Sequence, residues 1–170
     1  GKNVLRKACA FGMQLLGNDI VEVPEDFIQE TGVDMVALPD LLQKSDFVSL
    51  NCDLNRSSYH LLGQDQFQLM KSNSVLINTA RGAVVVESEL IAALETRAIH
   101  GAALDVFEVE PLPPSSPLLE MENVLLAPHN ANSSPSAWDR VHRNTIHNLF
   151  KGLGVPTPEG LLLDQDLDAS

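Results

Sequence analysis

Short apolar runs alternate with amphipathic stretches along the chain, and their spacing predicts an ordered series of elements. Over residues 2–11, Val4, Ala8 and Phe11 recur at i, i+4 and i+7, which puts them on one helical face. Gly12 comes next, where a left-handed residue would stop that helix. Met13 to Leu16 reads as a short buried strand closed by Gly17-Asn18-Asp19, and Asp34 to Leu38 as a weaker one. Pro39-Asp40 opens a short helix to Lys44, because proline is pre-set for a first helical turn. Asp46 to Leu50 predicts a strand, and residues 64–71 a helix with Phe67 and Met70 turned inward. Ser74 to Asn78 is a β-branched buried strand, and Glu87 to Arg97 a regular helix with Leu90, Ile91 and Leu94 on one face. Gly101 to Val106 is a strand of small residues, and Asn123 to Ala127 another strand. A final helix over 136–150 carries Trp138, Val141, Thr145, Ile146 and Leu149. The stretch 111–117 reads as a surface loop, and the tail from Gly152 to Ser170 as loosely ordered.

Continuous apolar strands separated by helices predict an α/β fold whose parallel sheet is covered on both faces. At 170 residues the chain suits one domain, with at most a fragment of a second. Its 11 basic against 23 acidic side chains give a net charge of −12. That balance argues against nucleic acid as a direct partner and against a polybasic membrane patch, since both depend on clustered Lys and Arg. No run of about 18 apolar residues predicts a transmembrane helix, and the first residues lack the apolar stretch of a secretory leader. Cys9 and Cys52 form no CxxC, so neither a disulfide framework nor a metal cage is expected, and a reducing cytoplasm is the default location.

Three predicted strand ends hold polar residues that a plain core does not need, and function in such folds gathers at the carboxyl ends of strands. The first is Asn78-Thr79-Ala80-Arg81-Gly82, where Arg81 offers a planar fork for a carboxylate. In isolation Arg81 also reads as a surface arginine capping a loop. The second is Asp105-Val106-Phe107-Glu108-Val109-Glu110-Pro111. Its three carboxylates repel one another unless something cationic lies nearby; otherwise it is an acidic solvated loop. The third is Ala127-Pro128-His129-Asn130, with a histidine at a strand end beside a proline that forces extended backbone. A carboxylate one loop upstream suits that histidine to acid–base work. The other histidines, His60, His100, His142 and His147, have no such context and are read as surface residues. Together the three sites propose that Arg81 holds an anionic substrate and His129 moves a proton. Glu110 would hydrogen-bond the imidazole and favour its charged form. No nucleophile lies beside a base, so acyl transfer is not favoured.

In this order, Thr-Ala-Arg-Gly, Gly-Ala-Ala-Leu-Asp-Val-Phe-Glu-x-Glu-Pro and Asn-Val-Leu-Leu-Ala-Pro-His resemble the D-isomer-specific 2-hydroxyacid dehydrogenases, particularly phosphoglycerate-dehydrogenase-like members. The resemblance covers roughly residues 1–150. It implies a Rossmann-like doubly wound parallel sheet, NAD as cofactor, and hydride transfer at C2 of a small 2-hydroxy or 2-oxo acid. It implies that Arg81 binds the substrate carboxylate, that His129 is the general acid/base, that Glu110 rather than Glu108 supports it, and that Asp105 lies near the nicotinamide. Gly1 takes the place of the third fingerprint glycine, Ala10-Phe11-Gly12-Met13 comes after it, and Asp19 stands at the distance of about 20 residues at which an acidic residue holds the adenosine ribose. A carboxylate there repels a 2′-phosphate, which implies NAD over NADP. The cofactor-binding set implied is Gly1, Asp19, Cys52, Thr79, Ala80, Arg81, Asp105 and His129.

Departures from the family pattern set further expectations. The first two fingerprint glycines and the strand before them are missing, as is the N-terminal substrate domain. The expected division is therefore an N-terminally truncated dinucleotide-binding domain over 1–150 and a tail over 151–170. Its sheet would fall into two halves with unpaired edges. Such a chain is expected to be inactive alone and to bind NAD weakly. Asn51-Cys52-Asp53-Leu54 stands where the family usually reads His-Cys-Pro-Leu, so Asp53 adds charge at the cofactor edge. The family usually forms dimers through the cofactor domain, and 87–97 with 111–120 are plausible contributors. Two other readings stand beside the enzyme: an NAD-sensing corepressor-like binding module, which would need a peptide-binding cleft in the missing domain, and a degenerate paralogue that only dimerises.

Overall fold

The computed structural model describes residues 1–156 and 158 and divides into two compact units, Gly1–His129 and Asn130–Ser170. The first unit runs α1 (Lys2–Ala10), β1 (Leu16–Gly17), α2 (Glu25–Thr31), β2 (Asp34–Met35), α3 (Leu38–Lys44), β3 (Phe47–Leu50), α4 (Gln64–Leu69), β4 (Val75–Asn78), α5 (Glu87–Glu95), β5 (Gly101–Leu104) and β6 (Val124–Leu126). Single 3-10 turns cover Gly82–Val84 and Pro117–Glu120. The strands form two separate parallel sheets, β1-β2 and β3-β4-β5-β6. The expectation of a sheet in two pieces therefore holds.

Local chemistry accounts for the elements. Gly12 has φ 70° and its N–H donates to the Cys9 carbonyl, while Met13 N–H donates to that of Ala8, a paired C-cap that ends α1 where the sequence places the stop. Pro39 occupies the first turn of α3. Gly63 N–H donates to the Gln66 side chain at the start of α4. At Gly101 a Cβ would lie 2.5 Å from the Asn123 carbonyl oxygen, so only glycine lets β5 approach β6 here. The core packs Val48, Leu50, Leu76 and Leu104 of the large sheet against Leu42, Phe67, Leu90 and Leu94 of α3, α4 and α5. Side chains of this size each contribute about 1.5–3 kcal/mol on full burial.

Several predicted boundaries and faces differ. The first strand is Leu16–Gly17 instead of 13–16, the second stops at Met35, and the small-residue strand stops at Leu104. The α1 face marked by Val4 and Phe11 is exposed, Phe11 at 82%. The helix is held instead by Arg6, which bonds Glu30 bidentately at 2.7 and 3.0 Å, and by Lys2 and Arg6 over the Phe27 ring. The helix α2 went unread because Phe27 and Ile28 are its only strongly apolar positions. Strands β3 and β6 are edge strands and are not covered on both faces: Phe47 points out while Val48 and Leu50 point in, and Leu125 is 72% exposed.

In the second unit, α6 (Pro135–Leu153) starts with Pro135 after Ser134, whose Oγ accepts the Ala137 N–H, and ends at Gly154 with φ 67°. It extends three residues beyond the predicted end and takes Gly152 out of the expected tail. The rest of that tail lies largely outside the described residues. Among the described residues no helix is long and apolar enough to cross a membrane.

Candidate active site

The site forms where β4 and β5 end. The buried Asn78, 1% exposed, closes β4 and shapes the turn after it: its amide oxygen accepts the Ala80 N–H and its amide nitrogen donates to the Arg81 carbonyl, both at 3.0 Å. This curls Thr79-Ala80-Arg81 around one side chain, leaving Thr79 exposed and Ala80 buried. Arg81 is exposed and donates one guanidinium N–H to the Ala80 carbonyl at 2.6 Å. Gly82 then touches the next loop. A Cβ there would lie 1.9 Å from both the carbon and the oxygen of the Phe107 carbonyl, so the absence of a side chain presses the Arg81 loop onto the 105–110 loop. Asp105, buried at the end of β5, donates its backbone N–H to the Asn78 carbonyl at 3.0 Å and ties the same two loops together.

Glu110 is held from two sides. Phe107 N–H donates to its Oε1 at 3.0 Å, and the His129 Nδ1 donates to its Oε2 at 2.7 Å. An ionised carboxylate can only accept, so the proton of this bond belongs to Nδ1, and a neutral His129 ring carries its lone pair on Nε2. Nε2 has no hydrogen-bond partner among the described residues. His129 holds φ at 54°, a left-handed conformation that side-chain-bearing residues adopt at a cost and that collects at functional sites. The His129 bond, the Phe107 N–H and the nearby Arg81 charge hold the Glu110 carboxyl below the usual carboxylate range, against some desolvation.

That direction fixes a pH dependence. A carboxyl with a lowered folded-state pKa stabilises the fold above its unfolded value, and the contribution is lost as pH falls through the folded value. The difference in unfolding free energy between the parent and Glu110→Gln is therefore expected to shrink from about pH 4.3 downward. Denaturant unfolding at a series of acid pH values measures it, and a difference that grows in acid would contradict the assignment.

A cleft of about 410 Å³ opens at the carboxyl ends of β3 and β4, lined by Leu50 to Leu54 and Thr79 to Arg81. The structure thus brings Cys52, Thr79, Ala80 and Arg81 to one concavity. Burial pushes the Cys52 thiol up, with Asp53 and Asp19 adding to it, which favours the uncharged form over the thiolate. Gly1 caps α1 and lies against Asn51 of the cleft, where an added Cβ would come within 3.6 Å of the Asn51 Cβ. Asp19 lies beyond, in a second concavity with Ile20, Val21, Ile28 and Met35, and accepts the Val21 N–H at 3.0 Å. Among the described residues no three His, Cys, Asp or Glu side chains cluster as a metal site.

Sequence reasoning missed Asn78 as the shaper of the Arg81 loop and Gly82 as its contact point, although both stood inside the motif. It also read His60 as an unengaged surface histidine. His60 Nε2 bonds Glu108 Oε1 at 2.8 Å, and the signal for it was the crowding of three acidic side chains that call for donors.

Known proteins resemble this chain over most of its length. Residues 1–131 match the family described as D-isomer specific 2-hydroxyacid dehydrogenase, NAD binding domain. A glyoxylate reductase of Korarchaeum cryptofilum is 46% identical over 158 residues, 92% of this chain and 47% of that protein. The holo D-mandelate dehydrogenase of Rhodotorula graminis superposes with a TM-score of 0.82 at 33% identity, over 88% of this chain and 44% of that one. The D-lactate dehydrogenase of Aquifex aeolicus, solved with NAD and lactic acid, gives 0.80 at 30% identity over 91% and 50%. The chain spans about half the length of such relatives.

Proposed function

The chain belongs to the D-isomer specific 2-hydroxyacid dehydrogenase family, in its NAD-binding domain, and from that premise we propose that the protein is an NAD-dependent oxidoreductase interconverting a D-2-hydroxy acid and its 2-oxo acid. The observation that carries this reading is the Glu110–His129 pair, whose glutamate sits on the loop that Gly82 holds against the loop of Arg81. The cleft at the ends of β3 and β4, with the amino end of α1 against Asn51, fits a dinucleotide lying across strand ends. Cys52, Thr79, Ala80 and Arg81 would line it. Gly1 would meet the pyrophosphate, Asp19 the ribose, and Asp105 and His129 the nicotinamide end.

The mechanism is set by the side chains. Arg81 holds the substrate carboxylate through its planar fork and fixes C2 and its oxygen. On oxidation His129 Nε2 accepts the hydroxyl proton as the C2–O bond becomes a carbonyl; on reduction it returns the proton. Glu110 keeps the ring in the tautomer that leaves Nε2 free and offsets the charge the ring gains. Bound NAD supplies the acceptor for the C2 hydride in one direction and the donor in the other. The substrate is a small-molecule 2-hydroxy or 2-oxo acid, and the phosphoglycerate-dehydrogenase-like reading makes phosphoglycerate one member of that class beside glyoxylate and bulkier acids. The dinucleotide-binding region is read as 1–150, followed by the 151–170 tail. Its partners are a second copy of itself and no polyanion, in keeping with the net charge of −12, and the two free cysteines favour the cytoplasm. Nothing in the site favours the corepressor or the inert dimerising alternative.

The test is NADH oxidation by the full-length protein with glyoxylate and larger 2-oxo acids. Turnover is expected only where a carboxylate neighbours the carbonyl; equal turnover of simple aldehydes would refute the role of Arg81. The same assay reads cofactor choice. NADH is expected to exceed NADPH by about 100-fold in kcat/KM, about 2.7 kcal/mol, through repulsion of the 2′-phosphate by Asp19. Asp19→Ser should remove most of that ratio, and equal use of both cofactors by the parent would refute it.

A further inference from the structure

The 105–110 loop carries two glutamates, Glu108 and Glu110, and each meets its own histidine. Glu110 takes His129, while Glu108 Oε1 accepts from His60 Nε2 at 2.8 Å. The second pair lies at the surface, with side chains 34% and 30% exposed, so solvent screens its charge and its value is geometric. His60 is fixed independently of Glu108. Its ring stacks on Tyr59 with centroids 3.9 Å apart, and its backbone N–H donates to the Ala83 carbonyl at 2.8 Å. Two residues on, Leu62 bridges Val85 in parallel, so the segment of His60 is stitched to the chain that leaves Arg81. Glu108 is fixed as well: its backbone N–H donates to the Glu87 carboxylate at 3.0 Å, and its nitrogen would lie 2.5 Å from a Cβ at Gly82.

Resting on the proposed role of His129, we propose that the His60–Glu108 pair is a clamp that sets the spacing between Arg81 and the Glu110–His129 pair. One jaw, His60, is bonded through its backbone to Ala83, in the turn that follows Arg81. The other, Glu108, adjoins Phe107, whose N–H orients Glu110. With the clamp shut, a carboxylate on Arg81 and a hydroxyl on His129 are held at one substrate's width. With it open, the carboxylate still binds but the hydroxyl no longer meets Nε2. His60 and Glu108 are positioning residues: neither exchanges a proton with substrate.

The experiment uses the full-length protein with Glu108→Ala, Glu108→Gln and His60→Ala/Glu108→Ala. Glu108→Ala is expected to lower kcat about tenfold while KM changes less than twofold, because misplacement of reacting groups costs rate more than binding. Glu108→Gln restores kcat to within about threefold, since its amide oxygen still accepts from His60 Nε2. The double variant is no worse than Glu108→Ala alone, as two halves of one contact require. The His129 Nδ1 proton resonance is expected to broaden or shift in Glu108→Ala and to keep its parent position in Glu108→Gln, which a change in global stability alone does not produce. A kcat within twofold of the parent in folded Glu108→Ala, or equal losses in Ala and Gln, overturns the clamp. An undiminished kcat on removing the His129 imidazole would instead overturn the underlying reading, so the two failures are distinct.

Discussion

Replacing His129 with asparagine is expected to lower kcat of the full-length protein by about 10²–10⁴ at saturating 2-hydroxy acid, the usual contribution of a positioned acid–base group. Asparagine is the informative substitution because residue 129 holds φ at 54°, a region where asparagine is at ease while most side chains are not. Its amide can still donate to Glu110, so the loop is preserved and the lone pair at Nε2 is lost. Binding of the carboxylate by Arg81 is untouched, and KM should move little. Steady-state kinetics would show the loss of rate with KM little changed. A rate within about tenfold of the parent would mean that some other group carries the proton.

Gly82→Ala is expected to have the largest effect on stability. The added carbon would lie 1.9 Å from the carbon and oxygen of the Phe107 carbonyl and 2.5 Å from the Glu108 nitrogen. These are backbone atoms that cannot rotate away, so relief requires separating two loops joined to adjacent core strands. Overpacking of this kind costs about 1–3 kcal/mol and occasionally more. The upper end applies here, with a fall in Tm of roughly 10 °C for a unit of this size. Thermal unfolding of parent and variant measures it directly. The same displacement moves Arg81 away from Glu110, so activity should fall further than the loss of folded molecules explains. A Tm within 2 °C or so of the parent would show that the loops are free to part.

The alternation of apolar strands with helices made the α/β class legible, and three motifs at strand ends made Arg81, Glu110 and His129 legible as candidates. The structure places Glu110 in contact with His129 and brings Arg81 within its electrostatic reach. What stayed hidden was of another kind. Gly82 acts through the space it leaves empty, and no spacing rule reveals which backbone will approach. Asn78 acts through its amide on residues two and three places ahead, a local bond that reads in sequence as an ordinary polar strand end. The partner of Glu108 was implied by charge crowding, but His60 lies 48 residues away, beyond what a local pattern encodes. The apolar face expected on α1 failed for a related reason: periodicity locates a stripe but not the surface that covers it, and here cations over Phe27 hold the helix instead.

That mode of attachment has an energetic consequence. The helix α1 buries none of its residues and is tethered through Arg6, Lys2 and Phe27, so it belongs to the low end of local stability, where segments open without global unfolding. An anion received at its amino end would order whatever fraction of the helix is open. The apparent dissociation constant is then the intrinsic one divided by the ordered fraction, and tightening the Arg6 tether would raise affinity without adding a single contact to the ligand.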